Sequence, residues 1–151
     1  MDSLNLLAQE KIHRNDFKDM LKNSEKLYYL RHGILELMKL VEKHKIPLYI
    51  VSGGVTQLIE ESLILSIPNY QTLKEMGLIY IISNKFQFDD YGYVNGLEGG
   101  EDFIVFTFNK AQIMKKVVES INKSTISSDN GIDKYNFENV ILLGDHINVY
   151  F

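Results

Sequence analysis

Apolar residues recur along this chain with two different periods. Leu4, Leu7, Phe17, Met20 and Leu21 fall at mostly helical spacings, which predicts a helix from residue 3 to about 23 with Asn23 and Ser24 as stop or cap residues. A second stripe is clearer. Leu30, Ile34, Leu37, Met38 and Val41 share one helical face, and Glu36, Lys39, Glu42 and Lys43 turn outward. His44-Lys45 ends that helix, and Pro47 stops any continuation. Leu48-Tyr49-Ile50-Val51 is a short, nearly continuous apolar run that suits a strand buried on both faces. It leads into Ser52-Gly53-Gly54, read as a turn, and a helical pattern resumes at Val55, Leu58, Ile59 and Leu63.

Leu78 to Ile82 is a second strand-like run, closing on Ser83-Asn84. From Phe86 to Val94 the pattern alternates around an Asp/Gly turn, which predicts a β-hairpin. A short run from Phe103 to Phe108 reaches Asn109-Lys110, after which Ile113, Met114, Val117, Val118 and Ile121 mark a helix. Residues 123–136 read as a polar loop, and Val140-Ile141-Leu142-Leu143-Gly144-Asp145 as an apolar strand with an aspartate at its end. Strands alternating with helices imply an α/β domain with a largely parallel sheet. In such sheets ligands bind beyond the carboxyl ends of the strands. Ser52 and Asp145 stand at such ends, and Lys110 begins a helix.

Composition narrows the class. The 151 residues fit one ordinary domain, and 45% apolar with 24% charged residues is the balance of a globular chain. A net charge of -4 gives no reason to expect nucleic acid or an anionic membrane as a partner. Without cysteine there are no disulfides and no thiolate metal sites. The N-terminal residues lack a signal-peptide core, and no run approaches the ~20 apolar residues of a membrane span, so a cytoplasmic protein is expected.

A phosphate monoester suits the candidate residues. The Ser52 hydroxyl and the turn amides at 52–54 can hold its oxygens, Lys110 can neutralise charge, and Asp145 can hold Mg²⁺. Each element alone has an ordinary alternative: a glycine turn found in many folds, a solvated lysine, a buried strand ending in a turn. The signal lies in the three together and in order.

Longer stretches carry a resemblance. IPLYIVSGGVTQLIEE, IISNKFQFDDYGYVNGLEG, FNK and NVILLGD resemble successive motifs of the cytosolic pyrimidine 5'-nucleotidases (cytosolic 5'-nucleotidase III-like), members of the haloacid dehalogenase superfamily. The preceding LLAQEKIHRNDFKDMLKNSEKLYYLRHG is similar to that family's helical cap and its return to the core. The resemblance implies a partial haloacid dehalogenase-like Rossmannoid core with a residual helical cap segment and a β-hairpin insertion. Residues 1–28 would be the end of the cap and 29–151 the partial core. It further implies Mg²⁺-dependent hydrolysis of nucleoside 5'-monophosphates such as UMP or CMP through an aspartyl-phosphate. Ser52, with Gly53 beside it, would bind the phosphoryl group, Lys110 would act in catalysis and phosphate binding, and Asp145 would ligate magnesium. Asn84 matches an asparagine of the family.

Two departures qualify that expectation. The family's Asp-x-Asp-x-Thr motif, which carries the nucleophile and the general acid/base, has no counterpart here. Asp89-Asp90 sits in the hairpin and reads as a turn, while Asp2, Asp16 and Asp19 lie in or beside a helix. The family's Gly-Asp-Ser-x-Gly-Asp stands here as Gly144-Asp145-His146-Ile147-Asn148-Val149, so Val149 replaces an acidic position. The chain therefore reads as a segment of a nucleotidase, inactive alone. A non-catalytic nucleotide- or phosphate-binding module and a decayed paralogue are the alternatives. His13, His32 and His44 read as surface or capping residues, and Phe86 and Phe88 as packing aromatics.

Overall fold

A computed structural model describes residues 10–23, 30–99, 105, 109–126, 140–141 and 143. The chain divides into two compact units, residues 1–105 and 106–151. In the first, α1 (Asp16–Asn23) and α2 (Ile34–His44) precede strand β1 (Leu48–Val55). Helices α3 (Thr56–Ser66) and α4 (Tyr70–Glu75) then cross over to β2 (Ile79–Asn84), which pairs with β1 in parallel. An antiparallel hairpin of β3 (Phe86–Phe88) and β4 (Val94–Leu97) follows. The second unit contains α5 (Lys110–Ile126).

The expected α2 stripe forms as read. Met38 and Val41 are buried, and Leu30, Ile34 and Leu37 pack against the same core as Ile67, Tyr70, Leu73, Leu78 and Ile79. Lys45 ends the helix in the left-handed region at φ 55°, its N–H donating to the Val41 carbonyl. Leu48 and Ile50 of β1 join this core. On the other face Tyr49 stacks on Tyr80, ring centroids 4.7 Å apart, and Tyr80 is largely exposed. Every residue from Leu48 to Ser52 is half-buried. Among the described residues, the strand expected to be buried on both faces is therefore covered by core packing on one, where the apolar run includes a tyrosine that is content at a water boundary.

A smaller core joins Phe17, Val55, Phe86 and Val94, with Ile12, Leu58, Phe88 and Leu97 packed against it. Phe17 meets Phe86 and Phe88 at 5.9 and 6.2 Å between centroids, so both hairpin phenylalanines are packing aromatics, as read. The hairpin turn is built by Asp89, whose Oδ1 accepts from the Tyr91 and Tyr93 amides. That bears out the turn reading of Asp89-Asp90.

The helix expected over residues 3–23 begins only at Asp16 among the described residues; residues 3–9 lie outside them. His13 interrupts it. Its backbone N–H donates to Asp16 Oδ2 at 2.7 Å, and its Nδ1 accepts from the Asn15 amide at 3.2 Å, a reciprocal cap with histidine in the place of serine. Ile12 to Arg14 are instead extended along the hairpin, bonded to Val94 and Gly92. Gly92 permits this at φ 89°, and a Cβ there would come within 2.6 Å of His13 Nε2.

Two further expectations change. Helix α5 runs through Ile126, so the polar stretch expected as loop from 123 starts out helical, and residues 127–136 lie outside the described residues. Its own stripe, Ile113, Met114, Val117, Val118 and Ile121, is half-buried as the spacing predicts. Val140, Ile141 and Leu143 belong to no strand, and Ile141 and Leu143 are 87% and 69% exposed. An apolar run makes a strand only where a neighbouring edge receives its hydrogen bonds, and among the described residues none does so here. Of the run Phe103 to Phe108, only Val105 is described.

Tyr70, at 1% exposure, has a hydroxyl without a hydrogen-bond partner of ordinary geometry. Burial first, and the charge of the nearby Glu60 carboxylate second, push its pKa from 10.0 up to about 12. The folded state then keeps a proton that the unfolded chain has lost between those values, so stability falls as pH rises through that window. The loss should approach about 2–3 kcal/mol. Tyr70→Phe should be as stable as the native chain at neutral pH and should lack this alkaline decline. Urea titrations at pH 8 and 11.5 check it, and equal declines in both proteins would refute the assignment.

Candidate functional site

The parallel register sets Leu48 opposite Ile79 and Val51 opposite Ile82, then shifts so that Val55 faces Asn84. Ser52, Gly53 and Gly54 intervene on β1 where Ser83 alone does on β2, so β1 carries two extra residues. The expected glycine turn is thus an irregularity within a longer strand, which bends the chain without ending it. Extended backbone persists through Val55, and α3 starts at Thr56. Glycine suits this stretch because a Cβ on Gly53 would lie 3.3 Å from the Val105 carbonyl oxygen.

Ser52 is half-buried, while Gly53 and Gly54 are exposed. Ser52 Oγ accepts from the Gly54 amide at 3.1 Å. Accepting that bond leaves the hydroxyl proton available, and polarises it toward an outside acceptor. The N-cap of α3 is Val55, which has no side-chain oxygen to accept from the first-turn amides. A helix N-terminus of this kind favours an anion.

Polar side chains brace this end of the sheet where the strand ladder stops. Thr56 Oγ1 and Ser83 Oγ lie 2.7 Å apart. Gln57 donates to the Phe86 carbonyl at 3.1 Å and accepts from its amide at 3.3 Å, as a strand partner would. Asn84 is buried at 4% exposure. Its Nδ2 donates to the carbonyls of Gly53 at 2.8 Å and Val105 at 3.1 Å, and its Oδ1 accepts from the Val105 amide at 2.7 Å. Of these braces only Asn84 stands out in the sequence, as the match to a family asparagine without an assigned role. A polar residue closing an otherwise apolar strand was the signal, since such a group is kept inside only if its hydrogen bonds are met.

Of the expected site residues, Ser52 and Gly53 therefore share one strand end with Asn84. Lys110 is the first residue of α5 and is half-buried. Asp145 lies outside the described residues, as do His146 and Val149. Among the described residues no three His, Cys, Asp or Glu side chains gather as a metal site would require. Magnesium needs only one or two carboxylates beside water and phosphate oxygens, and Asp145 is the expected one.

Comparison with known proteins gives this geometry a context. The family model described as Pyrimidine 5'-nucleotidase (UMPH-1) matches residues 1–149. The chain belongs to that family. Pyrimidine 5'-nucleotidase family members hydrolyse nucleotide monophosphates. Its relatives include the 7-methylguanosine phosphate-specific 5'-nucleotidase of Homo sapiens, 28% identical over 148 residues, which are 95% of this chain and 41% of that protein. The Gallus gallus protein of the same name is 29% identical over 109 residues, 70% of this chain and 32% of its own length. The Xenopus laevis form A is 24% identical over 144 residues, 93% of this chain and 41% of its own. The chain thus spans about two fifths or less of the relatives it matches. No helix among the described residues is long and apolar enough to cross a membrane.

The Ser52 hydroxyl takes part in a local, exposed hydrogen bond rather than in core packing. Ser52→Ala should therefore change stability by less than about 0.5 kcal/mol. Gln57→Ala, which strips both bonds from Phe86, should cost about 1–2 kcal/mol. Thermal denaturation of the two variants checks this contrast, and equal losses would contradict it.

Proposed function

We propose that this chain supplies the phosphate-holding part of a 5'-nucleotidase. Ser52 donates its hydroxyl to a phosphate oxygen, and the Gly53 amide with the first turn of α3 holds the remaining oxygens. By resemblance to the family, Lys110 would balance the charge of the phosphate and of the nucleophile that attacks it. Phosphoryl transfer relies on positioning and charge stabilisation, so such a cradle is a substantial part of the machinery without being all of it. The observation that supports the reading is the conjunction at one strand end: a serine hydroxyl polarised by Gly54, next to a helix N-terminus whose cap has no side-chain acceptor.

Hydrolysis in the complete enzyme proceeds through an aspartyl-phosphate whose nucleophile lies outside these 151 residues, since no Asp-x-Asp-x-Thr occurs in them. Asp145 would contribute one carboxylate to a magnesium ion, which supplies charge neutralisation when bound. The substrate is a nucleoside 5'-monophosphate. UMP and CMP are suggested by the family's description, and 7-methylguanosine monophosphate by the relatives' names. Val149, standing at an otherwise acidic position, favours a second reading in which the chain binds phosphate without turnover.

Both readings predict the same behaviour for the isolated chain. It should bind inorganic phosphate and UMP in titration calorimetry, with or without magnesium, and release no phosphate from UMP, CMP or 7-methylguanosine monophosphate. Ser52→Ala should weaken binding by about three- to tenfold, the scale of one hydrogen bond to a charged group. Magnesium-dependent phosphate release by the pure chain would overturn the proposal, because it would require a nucleophile within this sequence. Absence of any phosphate binding would remove the phosphate-holding role.

A further inference from the structure

Asn84 lies at a junction of three backbone segments that are distant in sequence. Its amide joins Gly53 at the strand irregularity, 31 residues away, to Val105, 21 residues away in the other direction. Both of its Nδ2 protons and one lone pair of Oδ1 are engaged, so the side chain has essentially one orientation. The bonds to Val105 copy those of a strand neighbour, and the bond to Gly53 restrains the peptide between the candidate phosphate ligand and the helix that follows. The Val105 carbonyl oxygen also lies against the open side of Gly53, where a Cβ would meet it at 3.3 Å. Neither of these bonds is part of the β1–β2 ladder, whose register breaks between Val51 and Val55.

Among the described residues, the irregular segment is thus held by a side chain between the two places where strand pairing holds it. A loop that must present a hydroxyl and amides to a ligand needs such fixing, because affinity falls when the loop must be ordered on binding. We propose that Asn84 is a positioning residue for phosphate: it touches no ligand itself but locks the Gly53 peptide so that Ser52 and the adjoining amides are aimed before the phosphate arrives. This inference rests on the phosphate-holding reading of Ser52 to Gly54. Burial alone does not explain an asparagine here, since an apolar side chain would fill the space without orienting Gly53 or Val105.

The test uses the chain with Asn84→Ala and Asn84→Asp, and with Ile79→Val as a variant that loosens the core elsewhere. Inorganic phosphate is titrated below each protein's unfolding range, and binding is expressed per folded molecule. Asn84→Ala should bind phosphate about tenfold more weakly, the scale of losing one or two oriented hydrogen bonds, while Ile79→Val should lower Tm and leave affinity unchanged. Asn84→Asp keeps the acceptor for the Val105 amide but faces two carbonyl oxygens with a carboxylate. Its affinity relative to the native chain should therefore be low at pH 7.5 and recover toward pH 5, as protonation restores a donor. If Asn84→Ala does not fold, the pH-dependent ratio for Asn84→Asp decides alone. Native-like phosphate affinity in a folded Asn84 variant, or a pH-independent ratio, would overturn the positioning role and leave the phosphate reading intact. A native chain that binds no phosphate would instead overturn the phosphate reading, and this inference with it.

Discussion

The parallel pairing of β1 with β2 is the constraint from which the site follows. Parallel strands cannot be joined by a tight turn, so the chain must cross over through α3 and α4 before β2 returns alongside β1. Both strands then end at the same edge, which puts Ser52 to Thr56 beside Ser83 to Phe86. The crossover also supplies the core, since Leu63, Ile67, Tyr70 and Leu73 lie in or next to its helices and pack beneath Leu48, Ile50 and Ile79. One register decision thus sets both the hydrophobic packing and the polar strand end.

At that end the ladder gives way to side chains. Thr56–Ser83, Gln57–Phe86 and Asn84–Gly53 all bridge the two strand ends, and Asn84 adds Val105. These are neutral groups. Their contribution to an anion site is orientation of dipoles, which costs little reorganisation when charge arrives. The chain carries a net charge of -4, which repels an anion at long range, so an anion site at this strand end must draw on local dipoles.

Membership of the pyrimidine 5'-nucleotidase family, together with a span of about two fifths or less of its relatives' length, frames how the chemistry is divided. The parts proposed for holding phosphate are few: one strand end, one bracing asparagine and one lysine. The nucleophile that breaks the phosphate bond is proposed to lie outside this chain. Holding a phosphate needs a fixed backbone and a few donors. Breaking its ester bond also needs a nucleophile placed in line.

Local pattern was enough for much of this. The stripe of α2, the two parallel strands, the hairpin about Asp89 and the start of α5 at Lys110 were legible because each depends on residues within a few positions of one another. So was the resemblance that pointed to Ser52, Gly53, Lys110 and Asp145. The tertiary structure decided what depends on distant partners. Residues 10–15 left the helical pattern because His13 caps α1 while the hairpin takes up Ile12 to Arg14 as an extended neighbour. Val140 to Leu143 form no strand among the described residues, since apolar character creates a need for burial but not a hydrogen-bonding edge. The glycine segment became a strand irregularity, and Asn84 acquired its role, because Gly53 and Val105 come within reach of one amide only when β1 and β2 are paired. Sequence determined which residues could bind and bend; long-range pairing decided which of them meet, since hydrogen bonds require partners that chain order alone does not bring together.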